Sequence, residues 1–153
     1  MDTRQHWEQV YAGKSVLGLG WHVARLEHSL ALLQRFGQEP GASLIDVGGG
    51  SSTLVDDALS MGYRVTVADV ATSALNAARS RLGERSATVS WMCTDILTTD
   101  FEKKTFDIWH DRAVFHFLKA PAARTRYVAH LMRATHPGSL VIMATFSKSG
   151  PDH

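Results

Sequence analysis

Apolar positions along this chain follow two alternating rhythms. Residues 44–47, 64–69, 88–93, 106–110 and 140–146 are short, mostly apolar or alternating runs, and they predict five strands. Between them the apolar residues fall at helical spacing. The predicted helices are 3–11, with Trp7 and Tyr11 on one face, and 21–36, with a Leu26, Leu30, Leu33 stripe. Three more follow: 52–61; 71–82, with Leu75, Ala78 and Leu82 aligned; and 121–135, with Tyr127, Leu131 and Ala134 aligned behind a first-turn proline. Gly37, Pro40, Gly41, Gly62, Gly83 and Pro137-Gly138 punctuate these elements. Residues 13–20 read as a glycine-containing loop, and 112–120 as a helix or a loop.

Strands alternating with helices predict an α/β fold. Its form is a doubly wound, mostly parallel sheet with right-handed crossovers and helices on both faces. The 153 residues are read as a single domain, 1–153, with no internal linker. Apolar residues make up 44% and charged residues 20%, a balance that excludes a disordered chain. The net charge of +1, without a basic run, gives no clear nucleic-acid signal. No apolar run approaches the ~20 residues of a membrane span, and the polar N-terminus has no signal-peptide core. The single cysteine, Cys93, fits a reducing cytoplasm. The eight histidines show no HxxxH spacing, so no metal site is expected.

The most informative stretch is Leu44-Ile45-Asp46-Val47-Gly48-Gly49-Gly50-Ser51-Ser52-Thr53-Leu54. It reads as a buried strand, a glycine turn and the start of a helix. Glycine lets a ligand approach the backbone, and the free N–H groups of the new helix face it. In open parallel sheets ligands sit beyond the carboxyl ends of the strands. Asp69 ends strand two, about twenty residues after the glycines, where a carboxylate accepts ribose hydroxyls. Asp69 equally reads as the N-cap of the next helix. The turn lacks the third glycine of the dinucleotide fingerprint, and tight packing alone would also explain it. The charge of Asp46 would repel a pyrophosphate and attract a cofactor that is cationic there.

These residues resemble class I S-adenosylmethionine-dependent methyltransferases. Asp46 to Ser52 resembles their first motif, Asp69 their acid after strand two, and Asp95-Ile96 their acid after strand three. The run Phe106-Asp-Ile-Trp-His-Asp-Arg-Ala-Val-Phe-His-Phe-Leu118 is similar to the segment after strand four in a small subgroup. That subgroup also carries a segment like His6 to Tyr11 at its N-terminus. The resemblance implies a Rossmann-like methyltransferase fold that binds S-adenosylmethionine and releases S-adenosylhomocysteine. It implies cofactor contacts from Asp46, Gly48, Gly49, Gly50, Ser52, Asp69, Val70, Asp95, Ile96 and His110. Relative to the family fold the chain is short at its C-terminus, lacking the last helix and strands. The methyl acceptor, a protein lysine or a small molecule, is not written in the sequence.

Asp111 is the candidate to orient or deprotonate an acceptor, or else a salt-bridge partner or turn cap. Arg112 pairs with it or binds an acidic group. His116, among Val114, Phe115, Phe117 and Leu118, is a second catalytic candidate or a packing residue. Trp7, Tyr11 and Trp21 either close over a cationic cofactor or staple the first helix to the core. Trp91 and Trp109 read as core. The rival functions are a non-catalytic cofactor-binding or interaction module, and a nicotinamide-dependent oxidoreductase. The last strand, Leu-Val-Ile-Met-Ala-Thr-Phe, reads as buried on both faces yet has no later strand to pair with. Homodimerisation through that edge is therefore expected.

Overall fold

β1 (Ser43–Val47), β2 (Arg64–Asp69), β3 (Ser90–Cys93), β4 (Ile108–Arg112) and β5 (Leu140–Ala144) pair in the order β3-β2-β1-β4-β5. Every pair is parallel in this computed structural model, which describes residues 3–13, 24–112 and 114–145. The order reverses between β1 and β4, so the ends of those strands open a crevice for a ligand. The doubly wound parallel sheet expected from the alternating pattern is present.

Period-two alternation sends side chains to opposite faces. Leu44, Val65, Val67, Ile108 and Ile142 pack on one face against α2 (Glu27–Phe36), α3 (Leu54–Ser60) and α4 (Thr72–Leu82), chiefly through Leu30, Leu33, Leu54, Val55 and Leu75. Ile45, Val47, Ala68 and Trp109 pack on the other face against Tyr127, Leu131 and Ala134 of α5 (Pro121–Ala134). Fully burying a side chain such as Leu44 or Ile45 stabilises the fold by roughly 1.5–3 kcal/mol.

Several boundaries differ from the sequence reading. α2 begins at Glu27: residues 24–26 before it are not helical, Thr53 donates to the Ala24 carbonyl, and Arg25 pairs with Asp57 of α3. β4 runs two residues further than its apolar run implied. Phe106 bonds back to Ala134, and pairing with β1 starts only at Ile108, so Asp111 and Arg112 belong to the strand. Within residues 112–120 the described backbone makes one 3₁₀ turn, Phe115–Phe117. β5 is at the sheet edge as expected, but it is not buried on both faces: Val141 and Met143 are 43% and 38% exposed. Trp109 is core, whereas Trp91 is half-buried with Arg79 over its ring.

The helix at Thr3–Gly13, α1, lies against α4. The Glu8 carboxylate accepts the N–H groups of Thr72 (2.6 Å) and Ser73 (3.3 Å), capping α4 from another element. Among the described residues no helix is long and apolar enough to cross a membrane.

Candidate functional site

A cavity of about 250 Å³ opens over the C-terminal ends of β1, β2 and β4. Its floor is the glycine turn. Gly48 has φ +67°, a conformation favouring glycine, and a Cβ there would lie 2.1 Å from a Val114 methyl carbon. A Cβ on Gly49 would lie 2.2 Å from Asp46 Oδ2, and one on Gly50 would lie 2.7 Å from Asp69 Oδ2. The last two glycines therefore keep two carboxylates tight against the backbone.

Those carboxylates differ in how they are satisfied. Asp69 Oδ2 accepts the Gly50 N–H (3.0 Å) and Oδ1 accepts the Ala71 N–H (2.9 Å). Burial pushes the Asp69 carboxyl up to about 6, against the lowering effect of these N–H donors and with the Asp46 charge adding to the rise. Asp46 is 2% exposed. Its Oδ1 accepts from His110 Nδ1 at 2.7 Å, while its Oδ2 has no protein partner among the described residues. A buried carboxylate oxygen left without a partner is costly unless a ligand supplies a donor.

The cavity wall brings together Asp46, Gly48, Gly49, Ser52, Asp69, Val70, Asp95, Ile96 and His110. Gly50 lies behind it and ties the turn to Asp69. Ser52 Oγ accepts the Leu54 N–H at 3.1 Å at the start of α3, and Asp95 Oδ1 accepts the Leu97 N–H at 2.8 Å. From α1, Thr3, Trp7 and Tyr11 line the opening, and Trp7 meets Phe117 edge-on at 5.1 Å. Trp21 lies outside the described residues.

The structure does not bring Asp111 or His116, the two catalytic candidates, into the cavity lining. Strand alternation turns Asp111 to the face opposite His110, away from the cavity wall. Its carboxylate accepts from the Val114 N–H (2.8 Å), the Phe115 N–H (3.1 Å) and the Tyr127 hydroxyl. Tyr127 in turn accepts from Trp109 Nε1 at 2.9 Å. Asp111 is thus the turn cap that was its alternative reading, and burial holds its carboxyl above the usual range. His116 packs its ring on Phe117 at 4.2 Å and does not line the cavity. Arg112 does line it. Ser29, which donates or accepts at His110 Nε2 (2.8 Å), escaped the sequence reading altogether.

A family model described as a methyltransferase domain matches residues 45–143, from β1 to β5. The chain belongs to that methyltransferase family. This methyltransferase domain is 26% identical over 121 residues to Nodulation protein S of Rhizobium tropici. That match covers 79% of the chain and 50% of the relative, so the chain spans about half the length of the curated relative. Among solved structures, it is similar to one described as showing conversion of a disulfide bond into a thioacetal group during echinomycin biosynthesis. There the TM-score is 0.77 with 23% identity, covering 92% of this chain and 59% of the other. It is also similar to the Haemonchus contortus phosphoethanolamine N-methyltransferase 2, whose structure holds phosphomonomethylethanolamine and S-adenosylhomocysteine. That likeness has TM-score 0.70 and 25% identity, and covers 97% of this chain and 36% of that one.

The family's cofactor is S-adenosylmethionine, and the residues of this domain fit it. The partnerless Asp46 Oδ2 suits a cationic amino group, and the glycine cradle leaves space that a Cβ would fill. Asp69 retains lone pairs for ribose hydroxyls beyond the two used by backbone N–H groups.

Proposed function

We propose that this chain binds S-adenosylmethionine in the cavity over β1, β2 and β4 and transfers its methyl group to an acceptor. The observation that carries the reading is the buried, partnerless Asp46 Oδ2 at the wall of a glycine-floored cavity. When bound, S-adenosylmethionine supplies an electrophilic methyl on a sulfonium; the S–CH₃ bond breaks as the acceptor–CH₃ bond forms. Asp46 accepts the cofactor's α-amino group, Asp69 its ribose hydroxyls, and Asp95 with Ile96 and Val70 borders its adenine. The Gly48–Gly49–Gly50 turn and Ser52 shape the backbone cradle. Trp7 and Tyr11 offer aromatic faces, which favour cations such as the sulfonium. Positioning and exclusion of water then supply much of the acceleration.

Asp111 is committed to its turn, so we assign the acceptor to nucleophiles that arrive with a lone pair available, such as an amine. A small molecule is the preferred acceptor and a protein lysine the alternative; the phosphomonomethylethanolamine of the Haemonchus enzyme supports the first. The exposed Cys93 supports a reducing, cytoplasmic setting. The β5 edge, unpaired among the described strands and with exposed Val141 and Met143, supports homodimerisation through that strand.

Calorimetric titration with S-adenosylmethionine, S-adenosylhomocysteine and NADH tests the reading. The first two bind and NADH does not; Asp69→Ala weakens S-adenosylhomocysteine by roughly 1.5–3 kcal/mol, the scale of hydrogen bonds to a charged group. Preferential NADH binding would return the oxidoreductase reading. Cofactor binding without methyl transfer to amines or lysine peptides would leave a non-catalytic binding module.

A further inference from the structure

Asp46 and His110 are register partners on β1 and β4, so their side chains emerge side by side on one face of the sheet. That face is covered by α2, whose apolar stripe is interrupted by one hydroxyl, Ser29. A hydroxyl buried among leucines is costly unless it is hydrogen-bonded. Ser29 meets this requirement through His110: Oγ lies 2.8 Å from Nε2, and Nδ1 lies 2.7 Å from Asp46 Oδ1. Ser29, His110 and Asp46 are 5%, 0% and 2% exposed.

The hydrogens of this chain follow from its ends. A carboxylate only accepts, so Nδ1 carries a hydrogen and donates it to Asp46. In the neutral ring Nε2 is then an acceptor, and the Ser29 hydroxyl donates to it. The imidazole is pinned at both nitrogens and in turn pins one oxygen of Asp46. The other oxygen, Oδ2, stays under Gly49 at the cavity wall. The three residue types are those of a nucleophilic triad, but the order is reversed. Asp46 lines the cavity, and Ser29 does not.

We propose that Ser29 and His110 are positioning residues that hold the Asp46 carboxylate in one orientation, so that Oδ2 receives the α-amino group of the cofactor. The inference rests on the cofactor reading of the cavity. His110 acts through Asp46, and Ser29 acts through His110. Without them the carboxylate rotates about its side-chain bonds, and the amino acid end of the cofactor loses its fixed acceptor. The nucleoside end, held by Asp69 and Asp95, is unaffected.

Two probes separate these ends in calorimetric titrations: S-adenosylhomocysteine, which has the α-amino group, and 5′-methylthioadenosine, which lacks it. His110→Phe weakens S-adenosylhomocysteine by about tenfold to a hundredfold while 5′-methylthioadenosine stays within about twofold. His110→Asn recovers most of the loss, because its amide nitrogen is bonded to the same carbon as Nδ1 and still donates to Asp46. Ser29→Ala weakens S-adenosylhomocysteine selectively, by roughly threefold or more. An unchanged ratio of the two affinities in His110→Phe and Ser29→Ala overturns the positioning role. If His110→Phe does not fold, the ratio in Ser29→Ala decides alone. Wild-type protein that binds neither probe sinks the cofactor reading and this proposal with it. Wild-type protein that binds both, with variants that leave the ratio unchanged, sinks only the relay.

Discussion

At the scale of single residues, the glycine turn holds two buried acids at the cavity wall. Gly49→Ala brings a methyl within 2.2 Å of Asp46 Oδ2 at a position where φ does not demand glycine. The substitution therefore displaces a carboxylate more than it strains the backbone. About tenfold weaker S-adenosylhomocysteine binding is expected, with a melting temperature near that of the wild type, read by calorimetry. Asp69 makes binding depend on pH. Its folded value, about 6, lies above the ordinary 3.8, so the folded protein holds this proton longer than the unfolded chain does. The resulting stability is fully present below pH 3.8 and is lost as pH rises through about 6, a change of roughly 3 kcal/mol. The ionised form is the stronger acceptor for ribose hydroxyls, since protonation turns one oxygen into a donor. S-adenosylhomocysteine affinity should thus climb between pH 5 and 7 with a bend near 6 that Asp69→Asn removes, followed by titration at each pH. Asp46 and Asp69 were legible because a glycine turn and a strand end mark their places locally. Ser29 was not: a lone serine on a leucine stripe reads as neutral, and nothing within its own helix points to residue 110. The two readings of Asp111 stayed open because the apolar run ended before the strand did. With two more residues in β4, alternation alone would have placed His110 and Asp111 on opposite faces.

At the scale of elements, the register of β4 on β1 and the docking of α1 on α4 build the site. The parallel strands and the division of the helices between two faces were readable from spacing, because each apolar run needs a partner layer, whereas the strand order came only from the structure. The start of α2 was not readable, since residues 24–26 keep helical composition while Ala24 bonds to Thr53 and Arg25 to Asp57. Glu8 ties α1 to α4, and its carboxyl is held below the usual range chiefly by the Ser73 side chain, with the Thr72 and Ser73 N–H groups adding to the fall. Glu8→Ala removes a cap from α4, a loss on the scale of about 1 kcal/mol, and frees α1. Amide exchange should quicken across Thr3–Gly13 and at Thr72 and Ser73, while β1 and β4 keep their protection. Exchange that is unchanged in α1 would mean that its other contacts, the Trp7–Phe117 pair among them, hold it.

At the scale of the whole molecule, β5 forms one edge of the sheet among the described strands, and α1 borders the cavity. β5 pairs only with β4 among the described strands and presents Val141 and Met143 outward. Sedimentation across a concentration series should show self-association, and Val141→Lys should reduce it, since a charge on an edge strand opposes pairing. A concentration-independent monomer would remove the dimer reading. On the other side, α1 roofs the cavity with Thr3, Trp7 and Tyr11 but is tied down at the end of a neighbouring helix, not in the sheet. That arrangement has a consequence for time. Where ligand release waits on α1, the frequency at which this helix lifts sets a ceiling on turnover whenever methyl transfer itself is quicker. Loosening the Glu8 tie would then speed the exchange of spent cofactor for fresh and shorten each cycle, even as it weakens the hold on both.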